Sequence, residues 1–207
     1  MLYSFDMKIE FVYFDLGGVA FHFRGGLKKL AKKYSIQYKD FEKVFKKYDD
    51  KVCRDEISAQ KMWEIYKKEL RFSDERIKDF AEYWVNNFEP IKETQELMLS
   101  CASKYKIGIL TNIYKGVFPK IIDNKILPDI SWDAQTHSCD IGYIKPEKEI
   151  YQIATEKAET RPEEILFIDD KISFIEGAKK IGWQTFLFDE ENPKNSVAQL
   201  RNLLDLN

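Results

Sequence analysis

Four short clusters in this sequence place reactive groups where a folded backbone turns. Asp15 ends an apolar and aromatic run that begins at Ile9, and Gly17-Gly18 follow almost at once. A carboxylate at the tip of a buried strand can face a ligand while the N–H groups of a glycine turn offer contacts to an anion. Thr111-Asn112 follows Ile107-Gly108-Ile109-Leu110 and brings a hydroxyl and an amide suited to phosphate oxygens. Lys145 stands just before Pro146, which is placed to open a helix, so its ammonium can project toward a phosphoryl group. Asp169-Asp170 ends the run Ile165-Leu166-Phe167-Ile168. Adjacent carboxylates repel, and a bound cation relieves the repulsion; oxygen donors with no His or Cys beside them favour Mg²⁺ over zinc. Each cluster alone also has an ordinary use. Asp15, or one of the paired acids, can cap a helix, Thr111-Asn112 can form a turn, and Lys145 can be a solvated surface charge.

The elements that must position these groups are legible as periodicities. The runs ending at Asp15, Leu110 and Ile168, with Thr185-Phe186-Leu187-Phe188, read as buried strands. Ile150, Ile153 and Ala154 after Pro146 mark a helix, as do Phe174, Ala178 and Ile181, and Val197, Leu200 and Leu204 mark a last one. Strands alternating with helices predict an α/β fold, a doubly wound, Rossmann-like parallel sheet with helices on both faces. Ligands of such sheets bind outside the carboxyl ends of the strands, where Asp15, Thr111 and Asp169-Asp170 all fall.

Residues 21–89 show four helical patterns and no strand. These are Leu27 to Tyr34, Phe41 to Tyr48, a third that Ser58 could cap, and a fourth that Ser73 could cap, with Asp74 and Glu75 in its first turn and Phe80, Trp84 and Phe88 on its apolar face. The block is an expected insertion with its own core, hinged at Gly25-Gly26 and Glu89-Pro90. The expected domains are therefore 1–20 with 90–207, and 21–89.

Composition narrows the class. The chain has 207 residues, 44% of them hydrophobic and 14% aromatic, enough for a sizeable core and too much for disorder. A net charge of −2 leaves no global basic footprint for nucleic acid. The insertion carries nine lysines against four acids between Leu27 and Lys51, spaced as the solvent face of amphipathic helices. Three scattered cysteines and two histidines argue against disulfides and zinc and favour a reducing cytoplasm. No run approaches the roughly 18 apolar residues of a membrane span, and Met1 to Lys8 lacks the pattern of a signal peptide. A cytoplasmic monomer or homodimer is expected, with neither membrane nor nucleic acid as partner.

The order Asp15, Thr111-Asn112, Lys145-Pro146 and Asp169-Asp170 resembles the haloacid dehalogenase (HAD) superfamily. Ile141-Gly142-Tyr143-Ile144-Lys145-Pro146-Glu147 with Ile150-Tyr151 is similar to that family's third motif region. Phe167-Ile168-Asp169-Asp170, followed by Glu176-Gly177-Ala178 and Ile181-Gly182-Trp183, is similar to its fourth. The resemblance runs from Ile9 to about Phe188, and the insertion stands where subfamily I members carry a helical C1-type cap. It implies a Mg²⁺-dependent phosphatase acting on a small phosphorylated metabolite such as a sugar phosphate, with Asp15 as the nucleophile that forms an aspartyl-phosphate. Thr111 would bind the phosphoryl group and Lys145 would neutralise charge, while Gly17, Gly18 and Asn112 would line the substrate site. The metal would be held by Asp15, the Gly17 carbonyl, Asp170 and Asp169.

One position departs from the pattern. The family's phosphatases carry a second Asp two residues after the nucleophile, as acid and base, and here that residue is Gly17. Such a group contributes roughly 10²–10⁴-fold to rate. Three readings stay open. Substrates with good leaving groups would need no acid, as in the glucose-1-phosphate phosphatase-like branch, which shares the Asp-Leu-Gly pattern. Another residue could supply the proton, His22 being the candidate because histidine as a residue type exchanges protons near neutral pH, against an ordinary place beside Phe21 and Phe23. Or the protein is a catalytically weak phosphate-binding or regulatory member of the same fold. Tyr114, just past Asn112, reads as a packing residue that could also reach a substrate.

Overall fold

A computed structural model describes residues 8–206; most of the Met1 to Lys8 segment, on which the leader expectation rests, lies outside them. The strands are β1 (Phe11–Phe14), β2 (Phe21–His22), β3 (Glu89–Pro90), β4 (Lys106–Thr111), β5 (Ala134–His137), β6 (Ile165–Asp169) and β7 (Gln184–Leu187). The helices are α1 (Gly25–Tyr34), α2 (Tyr38–Cys53), α3 (Ala59–Glu69), α4 (Phe80–Val85), α5 (Lys92–Ala102), α6 (Val117–Asp123), α7 (Ser138–Ile141), α8 (Lys148–Ala158), α9 (Ile172–Lys179) and α10 (Pro193–Leu203).

Five strands form one parallel sheet in the order β5-β4-β1-β6-β7. β1 and β6 are buried along their whole length, which is why they read as unbroken apolar runs: both of their faces are covered. Tyr13 and Phe167 pack with Tyr151, Phe174 and Ala178 of α8 and α9 on one face. Val12, Phe14 and Ile168 pack with Leu97, Met98 and Leu200 of α5 and α10 on the other. The doubly wound α/β expectation is met.

Register fixes the functional edge. Phe14 pairs with Ile109 on one side and Ile168 on the other, so Asp15, the end of β4 at Thr111 and the end of β6 at Asp169 lie close together at the carboxyl end of the sheet. The strand order reverses there, β4 and β5 lying to one side of β1 and β6 and β7 to the other.

The insertion carries α1 to α4 around Phe41, Trp63, Tyr66 and Phe80, all fully buried. Ser58 caps α3 as expected, its hydroxyl accepting from the Lys61 N–H at 3.1 Å. The fourth helix begins later than its pattern predicts. The carboxylate of Asp74 accepts from the Arg76 N–H and guanidinium and from Lys33, which holds a turn instead of a first helical turn. Asp79, not Ser73, caps α4 by accepting from the Glu82 N–H at 2.9 Å. The expectation of no strand at the insertion's edges is also corrected: β2 and β3 pair antiparallel, Phe21 with Pro90 and His22 with Glu89. α1 starts at Gly25, so Gly25-Gly26 lie inside a helix. Pro146 precedes α8, which Glu147 flanks. The lysines of α1 and α2 are exposed, as a solvated face requires.

Candidate active site

Two neighbouring strands bring three carboxylates to a common point, Asp15 from β1 and Asp169-Asp170 from β6. Asp15 follows β1, its N–H donating to the Ile168 carbonyl at 2.9 Å, which fixes its backbone to β6. Oxygens of Asp15, Asp169 and Asp170 lie within 4.8 Å of one another. Asp15 is 5% exposed and Asp169 is 0% exposed, so these charges are not diluted by solvent.

Lys145 threads into this cluster. Its Nζ lies 2.8 Å from Asp15 Oδ1 and 2.6 Å from Asp169 Oδ2, and only 1% of the residue is exposed. The rings of Phe167 and Phe174, 5.2 and 4.8 Å from the ammonium, complete its surroundings. Burial alone would push this ammonium down, but the two carboxylates outweigh it and hold it above its ordinary range.

Asn112 sets the position of Lys145. Its Oδ1 accepts from the Lys145 N–H at 2.8 Å and its Nδ2 donates to the Lys145 carbonyl at 3.1 Å. Expected at the substrate, Asn112 lines the cavity, but its side-chain amide is engaged by hydrogen bonds to the N–H and the carbonyl of Lys145. Thr111, buried at the end of β4, faces the same cavity.

The acidic pair divides its work. Asp169 receives Lys145 on one oxygen and the Lys171 N–H at 2.8 Å on the other. Asp170 has a buried Oδ1 with no hydrogen-bond partner among the described residues. Burial pushes both carboxyls up; Lys145 pulls Asp169 back down, and the nearby Asp15 charge raises both. A cluster of hard oxygen donors with one buried oxygen unpartnered fits a Mg²⁺ ion. Gly18 lets the cluster close up. Its φ is +89°, and a Cβ there would lie 2.6 Å from Asp170 Cγ.

A cavity of about 60 Å³ sits over Asp15. Asp15, Gly17, Thr111 and Lys171 form its floor, and the insertion closes it with Phe23, Phe45, Asp49 and Trp84. At Gly17, a Cβ would stand 3.0 Å from the Phe23 ring, so an aromatic side chain crowds the space where the family's second acid would begin. His22 is half-exposed and lines a neighbouring surface cavity with Arg24 and Glu190. Tyr114 is buried against Trp84, ring centroids 4.7 Å apart, and lines the Asp15 cavity.

Sequence reasoning passed over Asp49. The signal was there: Phe41, Phe45, Asp49 and Cys53 recur every four residues, which puts an acid on an otherwise apolar helical stripe. Lys171 was missed because one lysine after two acids looks like charge balance.

Comparison with known proteins places the same fold in other chains. A HAD family enzyme from Bacteroides thetaiotaomicron, solved as a mutant in complex with magnesium and inorganic phosphate, superposes with a TM-score of 0.72 at 20% identity, over 87% of this chain and 94% of that one. In sequence, the pyrophosphatase PpaX of Bacillus mycoides is 27% identical over 86% of this chain and 83% of its own. Rat bifunctional epoxide hydrolase 2 is 36% identical over 72 residues, which are 35% of this chain and 12% of that protein. Among the described residues no helix is long and apolar enough to cross a membrane. The family model for haloacid dehalogenase-like hydrolases matches residues 9–182, and the chain belongs to that family.

Proposed function

We propose that this chain is a Mg²⁺-dependent phosphomonoesterase for a small phosphorylated metabolite, such as a sugar phosphate, working through an aspartyl-phosphate on Asp15. The observation that carries the reading is the buried Lys145, held between Asp15 and Asp169 beside the unpartnered oxygen of Asp170. Asp15, Asp170 and the Gly17 carbonyl would hold the metal, with Asp169 bound or one shell out; when bound, the metal offsets charge on the phosphoryl oxygens. Asp15 attacks phosphorus, Thr111 binds a phosphoryl oxygen, and Lys145 balances the charge that builds on both. Asn112 keeps Lys145 aimed by gripping its backbone. Gly17 and Gly18 give the phosphoryl group room and backbone contacts.

Residues 21–89 act in this reading as a C1-type cap over a core of 1–20 and 90–207, in the manner of the glucose-1-phosphate phosphatase-like branch. The cavity is far below the roughly 300 Å³ and more that encloses a drug-sized ligand. The cap must therefore swing away to admit substrate and return to exclude water. Gly17 beside Phe23 favours a second reading, a weak phosphate-binding or regulatory member of the family.

Phosphate release from a panel of monophosphates, with and without Mg²⁺ and with Asp15→Asn as the blank, decides between them. Release that requires both Asp15 and Mg²⁺ is expected. A folded protein that binds phosphate and releases none from any of them would establish the second reading.

A further inference from the structure

The cavity over Asp15 is lined by two acids, Asp15 from the sheet and Asp49 from α2 of the insertion. Asp49 is held from the core side. The Tyr114 hydroxyl donates to its Oδ1 at 2.7 Å, and the Cys53 thiol leans on the same oxygen at 3.8 Å. Its Oδ2 makes no hydrogen bond among the described residues. One oxygen is thus fixed and the other is left for whatever enters.

We propose that Asp49 is the acid and base that position 17 does not supply. The proposal rests on the phosphatase reading. In the first step Asp15 bonds to phosphorus, the bond from phosphorus to the leaving oxygen breaks, and protonated Asp49 gives that oxygen its proton, so an alcohol departs. In the second step Asp49, now a carboxylate, takes a proton from the water that attacks phosphorus. The acyl-phosphate bond breaks, phosphate leaves, and both aspartates return to their starting states. Closing the insertion over a substrate would bring this acid in only once the substrate is enclosed.

The surroundings suit the task. Burial pushes the Asp49 carboxyl above its ordinary range, while Tyr114 and the nearby Lys171 ammonium pull part of the way back; Asp50, next along α2, pushes up again. The Cys53 thiol is itself pushed well up by burial and by Asp49, and the Tyr114 hydroxyl likewise, so both face Asp49 as neutral groups. Lys171 and Asp15 are the charged groups of the core that share the cavity. Tyr114 acts here as a positioning residue, through Asp49.

The test uses the full chain with Mg²⁺ and single-turnover release of the leaving group from aryl and alkyl phosphates of falling leaving-group acidity, with acetyl phosphate as the member that needs no proton. Asp49→Asn is expected to slow alkyl phosphates about 10²–10³-fold and acetyl phosphate less than about 5-fold. It should also flatten the alkaline limb of the pH–rate profile. Tyr114→Phe removes a bond that favours the carboxylate, so it should move that limb to higher pH; it also serves if Asp49→Asn does not fold. A loss of the same size across the whole series, or an unmoved limb in Tyr114→Phe, would overturn the proposal. Wild-type release that needs Asp15, with Asp49→Asn at full rate on alkyl phosphates, overturns it while leaving the phosphatase reading intact. No Asp15-dependent release overturns both.

Discussion

Arg54, at the end of α2, grips the carboxylate of Glu147 with two bonds, Nη1 to Oε2 at 2.9 Å and Nη2 to Oε1 at 2.6 Å. Glu147 Oε2 also accepts from the Ile144 N–H at 2.9 Å, and Arg54 Nη1 donates to the Gly142 carbonyl. The helical insertion is therefore tied to the loop that carries Lys145. Arg54→Ala should cost under about 1 kcal/mol of stability, because the pair is partly exposed, and so lower Tm by no more than about 4 °C. Phosphatase turnover should fall about 3- to 10-fold, with Glu147→Gln milder than Glu147→Ala. Turnover that falls only in step with Tm would remove the coupling.

Lys145 is the counter-charge for Asp15 and Asp169, and Lys145→Met leaves two buried carboxylates unpaired. Loss of about 3–5 kcal/mol is expected at pH 8. The sign with pH follows from the carboxyls. Burial already raises Asp169 and Asp170 in the folded state, and losing the ammonium raises Asp169 further. The folded state then holds protons that the unfolded state releases, so stability rises as pH falls from 8 toward the ordinary carboxylate range. Melting at pH 8 and pH 5 reads this directly; a deficit of equal size at both would rule out charge as the cause.

Gly18→Ala meets two penalties at once, a left-handed backbone and a carboxylate 2.6 Å from the new Cβ. A stability loss of about 1–3 kcal/mol is expected. Because the displaced group is Asp170, the rise in Tm on adding Mg²⁺ should shrink as well. A variant with the wild-type Mg²⁺ response would show that Asp170 takes no part in holding the ion.

Restoring the family's acid requires room. Gly17→Asp alone presses its Cβ against Phe23 and should destabilise by about 1–3 kcal/mol, whereas Gly17→Asp with Phe23→Leu relieves the contact. Alkyl phosphate hydrolysis by the double variant should exceed wild type only slightly. In the Asp49→Asn background the same pair should recover 10-fold or more. Recovery no greater than in wild type would separate position 17 from proton transfer.

The sheet and the edge where the carboxylates meet were readable because β1, β4 and β6 are apolar and buried runs, each closed or directly followed by a polar residue. β5 escaped notice: Ala134-Gln135-Thr136-His137 contains no apolar run, lies at the sheet edge and has polar residues on its exposed side. The start of α4 was misplaced because Asp74 is recruited by Lys33 from another helix, a contact that no local pattern records. Asn112 was placed at the site, but its grip on Lys145 spans 33 residues of chain. Asp49 and Tyr114 meet over 65 residues, through a fold that had to form first.

The two passages of chain between sheet and insertion run side by side, Phe21 against Pro90. Paired strands keep opposite Cα atoms about 5 Å apart, so the helical block begins and ends at almost one point. Such a block is a cassette. Another helical segment with equally close ends could replace it without disturbing a single strand of the sheet, and Asp15, Lys145 and the acidic pair would keep their places in the core while the residues over them changed. In this chain the exchange has a penalty, because Asp49 would leave with the cassette.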